Sequence, residues 1–273
     1  ADAVFTCVLK VYVGMSGRRT ASEVGRCRDD GHLSRVVSYN TIADYMADPE
    51  MTPLLRLLVQ ESAAPLAGVE RDFAVDSTGF GTRTYDRWVD EKHGKAKKRQ
   101  KFVKAHVICG TKTHVIADAI IDPGGDAPQY APLLDGTRTR FVIEAVSADK
   151  AYLSKANIAA TFAIGAVPYI PFKEGTTGKG PELWRKMFHY YQFKRPEFDA
   201  HYHRRSNIET AFSMVKAKFG AFVRSKTAQA QANELLCKVL CHNVVVLISS
   251  IYELGLEPEF WKPAANADAA KGA

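Results

Sequence analysis

A chain of 273 residues is long enough to bury a full hydrophobic core, which predicts one large domain with a small additional segment. Apolar residues make up 46% of the chain and charged residues 25%, and no run approaches about 18 uninterrupted apolar residues, so the composition excludes a membrane-spanning protein. The chain does not open with a basic segment, an apolar run and a cleavage site, so we expect a cytoplasmic protein. The missing initial Met predicts a truncated chain.

The five cysteines are scattered along the chain, and their number is odd. Cys237 and Cys241 lie one helical turn apart in a strongly apolar segment, with no matching pair of His or Cys at the spacing of zinc ligands. The pattern therefore predicts buried thiols rather than a zinc site, and it fits a reducing cytoplasm.

The net charge of +7 is concentrated in two stretches of the chain. Residues 71–105 carry ten basic against five acidic side chains, and residues 171–226 carry twelve against five, while the other stretches are slightly acidic. Such concentration predicts a polyanion as the partner, with nucleic acid as the first candidate. The first stretch contains the basic run Lys97, Lys98 and Arg99, which is typical of a solvated loop and is here a candidate DNA contact.

Residues 1–66 predict a small helical segment. Ser38 is a capping residue before one helix, and Pro53 lies at the beginning of a Leu-rich second helix. Two interpretations stay open: a helix-turn-helix that contacts DNA phosphates, or a helical cap on the larger domain. The first would use four arginines, Arg18, Arg19, Arg26 and Arg28. The slight acidic excess of this segment argues against a dominant role in DNA binding.

Residues 67–256 predict an α/β domain, and residues 257–273 a partly disordered tail. Strands are predicted at 71–80, 102–109, 114–121, 141–148 and 166–172. Three helices are also predicted: a short one that begins at residue 129, a second that ends at residue 163, and a long one over residues 227–254. Gly110 and the two residues after it predict a hairpin between the second and third strands. The two prolines of the last strand place it at an edge of the sheet.

Carboxylates follow two of the predicted strands. Asp76 lies at or beside the end of the first strand, and Asp149 comes directly after the fourth. Three further aspartates, Asp118, Asp122 and Asp126, surround the third strand, and we expect them to be edge, turn and cap residues.

The segment from Tyr202 to Lys216 predicts a helix with one charged stripe. Arg205 and Glu209 follow Tyr202 at offsets of 3 and 7, and Lys216 at 14, so all four fall within an arc of about 60°. Apolar residues fill the neighbouring arc and seat the helix on a core. A carboxylate between two cations and a phenol suits phosphate or metal chemistry, whereas the alternative is an exposed charged face with an ordinary ion pair.

This spacing of Tyr, Arg, Glu and Lys resembles the signature helix of the DDE transposases of bacterial insertion sequences, and composition alone would produce it about 0.003 times in such a chain. The order of elements over roughly residues 70–250 resembles the ribonuclease-H-like fold of these enzymes and of retroviral integrases. In that resemblance Asp76 matches the Asp of the first strand, Asp149 the Asp after the fourth, and Glu209 the helical Glu. Asp149 with Tyr152 also resembles the family's Asp-x-x-Tyr run.

The resemblance implies an α/β, ribonuclease-H-like mixed sheet flanked by helices, with catalytic and metal-binding residues Asp76, Asp149 and Glu209. Two Mg²⁺ ions, or Mn²⁺ as the alternative, would serve in-line displacement at a phosphodiester. The enzyme would cleave the end of the element and direct the freed 3′-OH at target DNA. The resemblance also implies a homodimer on double-stranded DNA in the bacterial nucleoid. The expected DNA contacts are Tyr202, Arg205, Lys216, Lys97, Lys98 and Arg99.

Two other functions stay open: a ribonuclease-H-like nuclease without strand transfer, and a non-catalytic DNA-binding remnant. Carboxylates at all three metal positions argue against the remnant. The 59 residues between Asp149 and Glu209 leave no room for the large all-β insertion of some relatives, so the mode of strand processing stays open. Trp184 or Trp88 could stack on a flipped base, or either could pack in the core.

Overall fold

The computed structural model of the protein describes residues 1–82 and 102–261. Four N-terminal helices, α1 Asp2–Val13, α2 Gly17–Asp29, α3 Tyr39–Ala47 and α4 Met51–Ala63, lead to strands β1 Asp72–Gly81, β2 Phe102–Gly110 and β3 Ile116–Ile121. Helix α5 Asp126–Arg138, strand β4 Ala145–Ala148, helix α6 Lys155–Ala163 and strand β5 Val167–Tyr169 follow. The remaining helices are α7 Glu182–Phe193, α8 Arg195–Tyr202, α9 Ser206–Phe219 and α10 Ala228–Leu254.

The five strands form one mixed sheet in the order β3-β2-β1-β4-β5, with β1 at its centre. β1 pairs antiparallel with β2 and β2 with β3, which confirms the predicted hairpin. On its other edge β1 pairs parallel with β4, and β4 with β5. β5 contains Pro168 and lies at the edge of the sheet, as its prolines predict. This mixed sheet with flanking helices confirms the predicted fold class.

Strand β1 is ten residues long, but β4 covers only its first part. The parallel pairing runs from Asp72↔Ala145 to Val75↔Ala148 and then stops, whereas the pairing with β2 continues to Gly81↔Phe102. Asp76 therefore lies in the middle of β1, not at its end as the sequence predicts. It is nevertheless the first β1 residue beyond the carboxyl end of β4, where open α/β sheets form their ligand crevice.

Both faces of the sheet are covered, so β1 is apolar on each side. Ala74 and Phe80 belong to a core that includes residues of α1 to α4, α9 and α10. Phe73 and Val75 belong to a second core on the opposite face, which contains Tyr130 of α5 and the residues that flank β4. The alternation along β1 assigns its even-numbered residues, Asp76 included, to the face covered by α9 and α10.

The N-terminal helices pack as a cap on the sheet. Leu55 and Val59 of α4 are fully buried in the same core as Ala74. The Asn233 amide of α10 donates to the carbonyls of Met46 and Asp48, and so ties the end of α3 to the core. This packing fits the cap interpretation of the segment, while the division at residue 66 stays a prediction.

Helix α10 runs through the middle of the protein. Over the described ranges it is the one helix long and apolar enough to cross a membrane, but 67% of its most apolar window is buried inside the protein, as in a core helix. Cys237 and Cys241 are buried free thiols, as predicted, and burial raises the pKa of Cys241 to about 12. Asn243, a polar residue of α10, is also fully buried.

Replacing Asn243 by Ala should destabilise the protein by about 3 kcal/mol, because several buried backbone groups would lose their partner. The Asn243 side chain accepts from Ile116 N at 2.9 Å and donates to Ile116 O at 2.8 Å and Val59 O at 3.1 Å. Urea denaturation measures the loss. Ser249→Ala on the exposed side of α10 is the control and should change the free energy of unfolding by less than about 0.5 kcal/mol. Equal effects of the two changes would contradict this role for Asn243.

Candidate active site

Two aspartates lie side by side where the parallel pairing of β1 and β4 ends. Val75↔Ala148 is the last paired position, so Asp76 and Asp149 occupy the next position of each chain. Val75 packs in the core of the opposite face, so Asp76 points to the face of α9, where it binds Arg205. Asp149 also caps the short 3₁₀ turn Lys150–Tyr152, since its Oδ1 accepts from Ala151 N at 2.6 Å.

The Arg205 guanidinium links Asp76 to Glu209. Its Nη1 donates to Asp76 Oδ2 at 2.8 Å, and its Nη2 donates to Glu209 Oε1 at 2.8 Å. The side chains of Arg205 and Asp76 are 20% exposed and that of Glu209 is 61% exposed, so the ion pairs open to solvent on the helix side. Burial opposes the charge of Arg205, but Asp76 and Glu209 outweigh it and raise its pKa. One cation thus holds carboxylates of two elements together.

The segment from Tyr202 to Lys216 is not one continuous α-helix, which corrects the prediction. α8 ends at Tyr202, residues His203–Arg205 form a 3₁₀ turn, and α9 begins at Ser206. Both arginines of the turn are bound to β1, Arg204 to Asp72 and Arg205 to Asp76, an anchoring that sequence spacing does not show. The Tyr202 ring centre still lies 6.0 Å from the Arg205 guanidinium.

Lys216 lies against β1 rather than on an exposed face. Its Nζ donates to Thr78 Oγ1 at 2.6 Å and lies 5.2 Å from the ring centre of Phe80. Thr78 and Phe80 are two and four residues beyond Asp76 on the same face of β1. Burial lowers the pKa of Lys216 to about 8. The alternative interpretation, a fully exposed charged stripe, does not describe this residue.

A polar cluster on the opposite face supports the strand at Asp76, and sequence reasoning missed it. Ser77 Oγ donates to Asp126 Oδ1 at 2.8 Å, and the same oxygen accepts from Lys104 Nζ at 2.9 Å. His106 Nδ1 lies 3.4 Å from it, and burial lowers the pKa of His106. We expected Asp126 to serve only as a cap, whereas it is bonded to the residue next to Asp76. Its distance of 50 residues from Asp76 in the sequence gives no signal of this contact.

Tyr152 of the Asp-x-x-Tyr run is fully buried between the two aspartate strands and α5. Burial raises the pKa of its hydroxyl, and the nearby charges of Asp126 and Asp76 raise it further. Tyr152 is therefore a neutral packing residue beneath the site.

The remaining predicted residues lie elsewhere or outside the described chain. Asp118 is buried and forms an ion pair with Arg56, so it is a structural residue. Trp184 is 8% exposed, donates to Thr177 O and packs against Phe172, which makes it a core residue and not a base-stacking one. The predicted DNA contacts Lys97, Lys98 and Arg99, together with Trp88, lie outside the described residues.

The carboxylates fit a divalent cation in chemistry but are not yet arranged around one. Among residues 1–82 and 102–261, no group of three His, Cys, Asp or Glu side chains has the arrangement of a metal site. Carboxylate oxygens are the donors that Mg²⁺ and Mn²⁺ prefer. The carboxylates of Asp76 and Glu209 hold one cation, the Arg205 guanidinium.

Comparison with protein families identifies the family of this chain. Residues 67–244 match the family described as the transposase DDE domain, which is more than half of the chain, so the protein belongs to the DDE transposases. Membership implies a transposase that binds DNA, and family members generally use divalent metal ions. Comparison with curated protein sequences gave no match.

The pKa of Lys216 predicts a pH-dependent stability. Its folded pKa of about 8 lies below the ordinary value of 10.5, so the unfolded chain binds more protons between these values. Stability contributed by this group therefore rises with pH from about 8 to 10.5. Relative to Lys216→Met, which removes the titration, the wild-type protein should gain about 3 kcal/mol over that window in urea denaturation. Parallel pH profiles of the two proteins would contradict the burial of this amine.

Proposed function

We propose that the protein is a transposase of the Tyr-Arg-Glu-Lys branch that cleaves DNA and transfers the cleaved strand with one Asp-Asp-Glu site. The observation that supports it is the convergence on one face of β1: Asp149 adjoins Asp76 in register, and Arg205 joins Asp76 to Glu209. These carboxylates come from a strand, the residue that follows another strand, and a helix, which are far apart in sequence. A solvated ion pair alone would not require Asp149 at that position.

Asp76, Asp149 and Glu209 would hold two Mg²⁺ or Mn²⁺ ions. When bound, such ions activate the attacking oxygen and stabilise the leaving oxygen of an in-line displacement. Asp76 and Asp149 are rigid donors, because one lies within a central strand and the other is fixed by its cap to Ala151 N. Glu209 is the exposed donor, in the first turn of α9, and it faces the side from which DNA would approach.

Lys216 and Arg205 would hold the phosphates on either side of the scissile bond. Lys216 lies along β1 beyond Asp76 and supplies a point charge, whereas Arg205 supplies a planar fork for two phosphate oxygens. Water would be the first nucleophile, and the freed 3′-OH the second at the same site. The implied partners are the two ends of the element and a target duplex, bound by a homodimer on the bacterial nucleoid.

Removing any one of the three carboxylates should abolish DNA cleavage without loss of DNA binding. Asp76→Ala, Asp149→Ala and Glu209→Ala should each reduce cleavage to below about one hundredth of the wild-type rate. Affinity for duplex DNA should be equal or higher, because negative charge near phosphates is removed. The matched control is Asp135→Ala, an exposed carboxylate of α5 that is paired with Arg138 and should retain full activity.

The measurement uses a supercoiled plasmid that carries the DNA flanking the gene in its genome, incubated with protein and Mg²⁺. Nicking at the ends of the flanking DNA supports the enzyme, and joining of those ends to a second plasmid supports strand transfer. Nicking without joining would leave the nuclease alternative in place. Binding without Mg²⁺-dependent nicking would support the non-catalytic remnant, and loss of folding in all three variants would show a structural role for the carboxylates.

A further inference from the structure

The position of Arg205 has a consequence beyond joining two elements. Each of its two terminal nitrogens is bound to a carboxylate oxygen that the proposed metal site needs, Asp76 Oδ2 and Glu209 Oε1. The Arg205 side chain is four-fifths buried, and its guanidinium lies between these groups with the Tyr202 ring beside it. A guanidinium carries donors only and cannot act as a metal ligand. A divalent ion and Arg205 therefore compete for the same oxygens.

Arg205 belongs to a segment of the chain that has the character of a hinge. It is the last residue of the turn His203–Arg205, and a 3₁₀ stretch between two helices is typical of a hinge. The neighbouring Arg204 is bound separately to Asp72, outside the carboxylate set, so the turn stays attached to β1 when Arg205 moves. The forked guanidinium binds phosphate oxygens with the geometry it uses for carboxylates. A DNA phosphate near the site therefore offers it an equivalent partner.

We propose that Arg205 is an internal counterion that keeps the carboxylate site closed to divalent metal until a DNA phosphate draws it away. This inference rests on the proposed function, because the competing ion is the proposed metal. DNA binding then frees Asp76 and Glu209, so DNA and metal bind with positive coupling. The coupling is reciprocal and lies in the usual range of about 5- to 150-fold. Without DNA the protein therefore holds metal weakly.

The test is a titration of the DNA-free protein with Mn²⁺. The electron paramagnetic resonance signal of the free ion measures how much Mn²⁺ is bound. Arg205→Gln should bind Mn²⁺ about tenfold more tightly than the wild-type protein, because both carboxylates lose their competitor. Arg205→Lys should also bind more tightly, by about threefold, since an ammonium keeps the charge but loses the fork that spans both carboxylates. The matched control is Arg204→Gln, which removes the same charge one residue away and should stay within about twofold of wild type.

A second measurement tests the coupling with DNA. The affinity for a short mixed-sequence duplex is measured with and without Mn²⁺, and the ratio of the two affinities is compared between variants. The ratio should favour Mn²⁺ about tenfold more for the wild-type protein than for Arg205→Gln, because the variant loses the coupling through Arg205 and keeps only the direct contact of Mn²⁺ with phosphate oxygens. Since Mn²⁺ screens the duplex equally in both experiments, the difference between the ratios reports Arg205 alone.

The outcomes separate this inference from the proposed function. If wild-type Mn²⁺ binding is lost in Asp149→Ala but is no tighter in either Arg205 variant, the metal site stands and the counterion role is overturned. Equal coupling ratios in wild type and Arg205→Gln would overturn it as well. If no variant binds Mn²⁺ with or without DNA, the metal site and the counterion fall together. Circular dichroism confirms that each variant is folded before its binding is compared.

Discussion

The parallel pairing of β1 with β4 is the constraint on which the site depends. It ends at Val75↔Ala148, while β1 continues alongside β2 for six more residues. From Asp76 onward β1 is no longer paired with β4, and Asp76 and Asp149 lie together where that pairing ends. Apolar residues on both faces of β1 hold the register, since a slip by one residue would turn Asp76 into the core.

Helix α9 is joined to this edge by charge on one side and by apolar packing on the other. Ile208 and Val215 are buried against the sheet, which fixes how the helix lies. Arg205 and Lys216 then reach β1 at Asp76 and Thr78, so the cationic side chains follow the strand from the carboxylates outward. The same contacts that hold the helix also bring positive charge to the place where a phosphate backbone would lie. Stability and proposed function therefore use the same side chains.

Much of the fold could be predicted from the sequence, because its signals are local. Turn residues at Gly110 and prolines near residue 168 are sufficient for the hairpin and the edge strand. The spacing of Arg205 and Glu209 predicts their contact, since residues four positions apart lie on the same side of a helical turn. The position of Asp76 within β1 was missed, because the length of β4 is set by pairing between distant segments. The link from Ser77 to Asp126 and the anchoring of Arg204 were missed for the same reason.

The proposed metal site is formed by Asp76, Asp149 and Glu209 when DNA is bound. Anomalous diffraction from crystals of the protein with duplex DNA and Mn²⁺ tests it most directly. We expect Mn²⁺ ions bound by all three carboxylates, with the Arg205 guanidinium moved from Asp76 and Glu209 to a phosphate. Mn²⁺ ions bound by other residues would contradict the proposed site. An ordered duplex with no Mn²⁺, and with Arg205 still bound to both carboxylates, would contradict it as well.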